Sequence, residues 1–169
     1  MPEVRLLSGA PLAVSPDMMR DELYMRLALQ LARQAYLLGE IPIGAVVVYE
    51  DEVIAWAHNE KEFRNDATAH AEMLALQRAA RYLDNWRLSK ATLYCNLEPC
   101  PMCAGAMINS RLKRLVYASR DPKAGSAGSV IDLVRYPGLN HQLEVQGGIL
   151  NEESSKLLTA FFTDLRRDG

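Results

Sequence analysis

Ala91-Thr92-Leu93-Tyr94-Cys95-Asn96-Leu97-Glu98-Pro99-Cys100-Pro101-Met102-Cys103 changes character half-way along. Residues 91–97 read as a strand, which Glu98-Pro99 stops. Pro101, with its fixed φ and missing N–H, opens a helix to about Ser110. Cys100 and Cys103 then sit three apart on the first turn and face the same way. A C-x-x-C pair alone serves a redox couple, half of a structural zinc ribbon or an open metal site. The upstream run His70-Ala71-Glu72 selects among these, because H-x-E followed by P-C-x-x-C supplies an imidazole and two thiolates. Those are ligands for a zinc ion that keeps its fourth position for water. Glu72 is left over, placed to shuttle protons to and from that water.

Asn65-Asp66-Ala67-Thr68 is a polar loop that caps the helix carrying His70, whose apolar stripe is Ala69, Met73, Leu76, Ala80 and Leu83. Residues two apart on a helix point in nearly opposite directions, so His70 and Glu72 share a site only off the helix N-terminus. Both ligand sets thus come from helix N-termini, where the dipole favours thiolates. Cys95 could complete a four-ligand structural site, but its place inside an alternating strand reads as a small buried hydrophobe.

The rest of the chain alternates helices with β-rich runs. Ser15-Pro16-Asp17 starts a helix with the stripe Leu23, Leu27, Leu31, Ala35 and Leu38, ended by Gly39. Ile43 to Tyr49 and Val53 to His58 form a hairpin about Glu50-Asp51-Glu52, and the continuously apolar Ala45-Val46-Val47-Val48 implies a strand covered on both faces. Asn59 follows as turn punctuation. Lys113 to Ser119 is a fourth strand, Arg120 to Ser129 a loop with Gly125 and Gly128, and Ser129 to Tyr136 a short helix. Pro137 to His141 turns into a fifth strand, Gln142 to Gln146, and His141 reads as a loop histidine. A last helix begins at Asn151 with Leu157, Phe161 and Leu165 apolar, and Arg166 and Arg167 complementing its dipole. The fold class is α/β, a three-layer α/β/α sandwich on a five-stranded mixed sheet. Residues 1–14 read as a flexible extension and 15–169 as one domain.

The chain has 169 residues, 49% apolar and 24% charged, with a formal net charge of −2. That is an ordinary globular composition and does not advertise nucleic-acid binding. Arg111, Lys113, Arg114, Arg120 and Lys123 stand against the single acid Asp121, which charge alone reads as a solvated face. No apolar run suits a membrane span, and the start lacks a signal-peptide pattern. Three cysteines, two of them claimed by metal, suit a cytoplasmic protein without disulfides.

Three stretches carry a family resemblance: Asn65 to Glu72, Thr92 to Ala106, and Arg120-Asp121-Pro122-Lys123-Ala124-Gly125-Ser126-Ala127-Gly128-Ser129. The chain resembles the bacterial-type tRNA-specific adenosine deaminases, of cytidine deaminase-like fold, from about Asp17 to Arg167. The first two stretches are the H-x-E and P-C-x-x-C signature of zinc-dependent nucleobase deaminases, shared with cytosine and guanine deaminases. The third, with Asn140-His141 and Phe161-Phe162, resembles the tRNA enzymes.

The resemblance implies one zinc ion per subunit on His70, Cys100 and Cys103, with Glu72 catalytic and no organic cofactor. It implies that Asn59 contacts the flipped nucleoside and that Asp121 touches a nucleotide sugar; under that reading the basic residues of 111–123, Arg120 and Lys123 among them, would position phosphates. The implied reaction is hydrolysis of adenosine to inosine at the wobble position of a tRNA, a tRNA-Arg with an ACG anticodon. A zinc-activated water would attack C6, and a homodimer would embrace the anticodon stem-loop. Asn109 and Ser119 depart from the His and Ala that the resemblance suggests. Two alternatives use the same ligands: a free-base or nucleoside deaminase acting on guanine or cytosine, and a non-catalytic, zinc-stabilised RNA-binding module.

Overall fold

The computed structural model describes residues 14–169, so the extension expected over 1–14 lies outside the described residues but for Val14. Five strands form one sheet in the order β2-β1-β3-β4-β5: β1 (Gly44–Tyr49), β2 (Glu52–His58), β3 (Ala91–Leu97), β4 (Arg114–Ser119) and β5 (Glu144–Gln146). β1 pairs antiparallel with β2 and β3, while β3, β4 and β5 run parallel. The sheet is therefore mixed, as expected. Glu50 and Asp51 join the hairpin with φ of 50° and 61°, the left-handed pair that a two-residue turn of matching twist requires.

Strand alternation sorts the side chains into two cores. Ala45, Val47, Leu93, Cys95, Leu115 and Tyr117 face α3 (Ala71–Leu83) and α4 (Pro101–Asn109). Val46, Val48, Tyr94, Val116 and Ala118 face α1 (Pro16–Leu37), with Leu157 of α5 (Asn151–Asp168) packed at the margin. Helices on both faces of one sheet make the three-layer sandwich.

Four local expectations need correction. α1 buries Tyr24, Met25, Ala28, Leu29, Ala32 and Ala35, whereas Leu23 and Leu38 of the expected stripe are 57% and 68% exposed. Close approach to the sheet selects the alanine face: a Cβ on Gly44 would stand 2.1 Å from the Ala28 carbonyl oxygen. Leu165 of α5 is likewise 56% exposed. A short helix, α2 (Lys61–Arg64), lies where none was expected. The buried Glu40 carboxylate caps it, accepting from Glu62 N at 3.1 Å and Phe63 N at 2.6 Å. Finally, 129–136 is not a helix. The amides of Val130 and Ile131 donate to the Gly125 carbonyl and that of Leu133 to Ser126, so the segment folds back on its own loop.

A buried polar knot ties α1 to the sheet. Arg114 donates through two nitrogens to Asp21, at 2.7 and 2.8 Å, and the Tyr94 hydroxyl adds a third bond at 2.8 Å. Burial works against the Asp21 charge, but Arg114 and Tyr94 together hold its carboxyl below the usual aspartate value. Its stabilisation is therefore present above the unfolded-state pKa and is lost as pH falls through the lower, folded one. Asp21→Ala strands the guanidinium and should cost about 2–3 kcal/mol in thermal or urea unfolding. That is less than a fully buried pair, since Arg114 keeps 26% of its side chain exposed. Asp21→Asn should lack the wild-type protein's loss of stability below about pH 4, a range set by the ordinary aspartate value.

Candidate active site

Each proposed ligand stands at a helix N-terminus. His70 is the N-cap of α3 and Cys100 the N-cap of α4, with Cys103 in the first turn of α4. Neither cap side chain is spent on its own helix, which leaves both free to face each other. The Cys100 and Cys103 sulfurs lie 3.6 and 3.5 Å from His70 Nδ1. A tetrahedral zinc with Zn–S of about 2.3 Å and Zn–N of about 2.0 Å needs S to N edges of about 3.5 Å. Both sulfur-to-nitrogen edges fit zinc.

The ligand atoms of His70, Cys100 and Cys103 all lie within 4.8 Å of one another. Cys95 takes no part: its thiol is buried and donates to the Leu97 carbonyl at 3.2 Å, and burial pushes its pKa up. His141 is a loop histidine, with Nε2 2.6 Å from the Leu112 carbonyl. Bonding to Cys103, with help from His70, brings the Cys100 thiol down to about 4 against the effect of burial. The proton of the pair stays on Cys103, raised first by that same bond and then by burial. Metal drawing on both sulfurs must displace it, so metal uptake releases a proton.

Glu72 follows His70 on α3 and is 3% exposed. Its Oε1 is buried without any hydrogen-bond partner. Burial raises its pKa, opposed by a bond from Cys103 and the charge of His70. A buried carboxyl with one vacant oxygen beside three metal ligands is placed to take up and release a proton.

Glu72 and His70 stand in a cleft of about 610 Å³, the size of a small-molecule site. Cys100, Asn59, Arg120, Asp121 and Lys123 line the same cleft, while Cys103 is fully buried and does not reach its surface. Asn59 is buried at the end of β2, its Oδ1 accepting from Lys61 N at 3.2 Å. Asp121 Oδ1 accepts from Lys123 N and Ala124 N, and its Oδ2 has no partner among the described residues.

Sequence reasoning missed three contributors. Ile41, Ile43, Leu158 and Phe162 supply apolar walls, and Lys61 and Arg166 add cations at the rim. The spacing of Leu158, Phe162 and Arg166, four apart on α5, was the legible signal of a shared face. Glu98, which the sequence shows only as the end of a strand, is 2% exposed and accepts from Asp121 N, Ala127 N, Ser129 N and the Ser129 hydroxyl. Burial opposes its ionisation, yet these donors together hold it below the usual glutamate value.

A vacant carboxyl oxygen beside metal ligands, opening on a cleft floored by this sandwich, defines a zinc-dependent deaminase. The sequence pattern of the MafB19-like deaminase family matches residues 19–166. The chain is 49% identical over 150 residues to the tRNA-specific adenosine deaminase of Bacillus subtilis, covering 89% of this chain and 93% of that protein. It is 46% identical to that of Haemophilus influenzae, covering 88% and 86%. A structure from a study of A-to-I editing by tRNA:A34 deaminases at the wobble position of transfer RNA superposes with a TM-score of 0.78. Its identity is 41%, over 80% of this chain and 99% of that one. A guanine deaminase from Nitrosomonas europaea, at 24% identity and a TM-score of 0.73 over 95% and 100%, shares the fold. The chain belongs to the MafB19-like deaminase family and, within it, to the tRNA-specific adenosine deaminases.

Cys100→Ala and Cys103→Ala should each lose zinc, measured as metal per subunit after dialysis against a mild chelator. Cys95→Ala should keep one zinc per subunit. Loss of metal from Cys95→Ala would instead make the site four-coordinate and structural.

Proposed function

We infer that the protein hydrolyses adenosine to inosine at the wobble position of a tRNA, releasing ammonia. The observation that carries the reading is the vacant, buried Glu72 oxygen beside a donor set of zinc dimensions, opening on a cleft large enough for one nucleoside. What a zinc ion supplies when bound by His70, Cys100 and Cys103 is a water acidified to a pKa of about 7.

Glu72 does the rest of the proton work. Its carboxylate would take a proton from the attacking water and deliver it to N1 of the purine as the water oxygen bonds to C6. It would then take the proton of the new C6 hydroxyl and hand it to the amino group, so that the C–N bond breaks, the C6 carbonyl forms and ammonia leaves. Water and adenosine become inosine and ammonia, with Glu72 returned to its starting state. The protonation step suits a carboxyl whose pKa burial has raised.

The cleft residues position the nucleotide. Asn59 Nδ2 reaches the Ile41 carbonyl only at 3.5 Å, which leaves it able to donate to the base. Asp121 offers its free Oδ2 to a ribose hydroxyl. Ile43, Leu158 and Phe162 give the extruded base an apolar surface to lie against. Lys61, Arg120, Lys123 and Arg166 form no salt bridge among the described residues and ring the cleft as phosphate contacts. An anticodon loop suits this site because its bases leave the stack at lower cost than those of a duplex. The reading includes a tRNA-Arg with an ACG anticodon, a homodimer, whose mass sedimentation would report, and a cytoplasmic setting, all resting on the resemblance and on cysteine usage. Among the described residues, no helix is long and apolar enough to cross a membrane.

Purified zinc-loaded protein should form inosine at the wobble position of that tRNA and release no ammonia from free adenosine, guanine or cytosine. Ammonia from a free base with the tRNA untouched would overturn the substrate. Glu72→Ala should keep its zinc and lose about 10³-fold or more in kcat. Lys123→Ala and Arg166→Ala should each raise the Kd for an anticodon stem-loop by about three- to tenfold at low salt. Each should also flatten the plot of log Kd against log salt by about 0.7.

A further inference from the structure

The Glu98 carboxylate lies between two parts of the site that the chemistry treats separately. Behind it in the chain is Cys100. In front of it, through space, is the loop 120–129, whose residues 120–124 line the cleft. Both oxygens are used. Oε1 accepts from Asp121 N at 3.2 Å and from the Ser129 hydroxyl, and Oε2 from Ala127 N at 3.0 Å and Ser129 N at 3.1 Å. Ser126 N donates to the Pro99 carbonyl at 2.9 Å, a second tie between the same two segments. Gly125 closes the loop over the carboxylate, since a Cβ there would stand 2.5 Å from Glu98 Oε2 and 2.4 Å from the Asp121 carbonyl oxygen.

We propose that Glu98 is a positioning residue for the deamination: a buried carboxylate that latches the substrate-contacting loop to the metal-bearing turn and so sets the placement of Asp121 relative to Glu72. The proposal rests on the function proposed above. Charge-assisted bonds are short, directional and about twice as strong as neutral ones, and three from backbone amides with a fourth from a hydroxyl on one side chain leave the loop little freedom. The metal ligands do not depend on the latch, because they sit on helix N-termini supported by the sheet and the α3–α4 core.

Glu98→Gln is the discriminating variant. An amide has one acceptor oxygen, so its NH2 must face one of the two donor pairs. It settles on the Oε1 side, where the Ser129 hydroxyl can turn to accept, and the Asp121 amide loses its partner. The expected result is a KM for tRNA raised about tenfold, the scale of one lost charge-assisted bond. The fall in kcat should be less than about threefold, with one zinc per subunit retained. Gly125→Ala, whose Cβ would crowd Glu98 Oε2 and the Asp121 carbonyl oxygen while removing no donor or acceptor, should raise KM similarly. The double variant should then add little to either single one. Amide hydrogen exchange at Asp121 should accelerate about tenfold or more in Glu98→Gln while the amides of β3 stay protected. A Glu98→Gln protein with wild-type KM and wild-type exchange overturns the proposal. So does one that loses activity through kcat in step with lost zinc, because that marks a merely structural role. If wild-type protein forms no inosine on any tRNA, the substrate reading has failed, and hydrogen exchange still decides the latch.

Discussion

Two helices begin at the same point in space, and the site follows from it. The N-termini of α3 and α4 approach until an imidazole on one and two thiols on the other are 3.5 to 3.6 Å apart. A helix start is one of the few places where backbone geometry aims a side chain along the axis instead of away from it. It also carries the positive end of the helix dipole, which suits sulfur in its anionic form. Side chains on the flanks of the same helices could not meet in this way. The sheet has to hold the two starts in register, and it does so with β1 and β3 side by side at its centre and both helices packed on one face.

Around that meeting point, buried polar side chains replace the regular structure that a cleft lacks. Glu40 caps α2, Glu98 latches the loop 120–129, and Asp21 joins α1 to β3 and β4. Asn96, with no exposed surface, accepts from Gly44 N and donates to the Pro42 carbonyl and Ser154 Oγ, fixing α5 to the centre of the sheet. Each of these groups is satisfied, and an unsatisfied one would cost about 1–3 kcal/mol. Glu72 Oε1 is the exception among the described side chains, and it belongs to the carboxyl that we propose hands on the proton. The contrast separates carboxylates that hold the scaffold from the one available for chemistry.

What could be read from the sequence was local. β3 ends where Pro99 forbids a ladder bond, so its expected span, 91–97, matches Ala91–Leu97. The ligand spacing is visible because zinc geometry needs a short, fixed pattern. The requirement that His70 and Glu72 can meet only off the end of a helix follows from its 3.6-residue period, and both side chains line one cleft at the start of α3. The three-layer order follows from the apolar run of β1, buried on both faces. Long-range partners were not legible. The face α1 presents depends on how closely it approaches Gly44, 129–136 is folded by bonds to its own loop, and nothing in Glu98 announces four distant donors. Asn59 and Asp121 came from resemblance, Arg120 and Lys123 from the basic stretch they stand in, and their shared cleft needed the fold.

The wall of the cleft formed by Leu158, Phe162 and Arg166 belongs to the last helix of the described chain. Translation delivers the residues in order, so His70, Cys100 and Cys103 leave the ribosome well before that wall exists. A growing chain thus contains all three donors before it contains this side of the surface on which a nucleotide would lie. The order of synthesis places the three donors ahead of the pocket wall, and a chain that stops short of Leu158 has no complete pocket for a nucleotide.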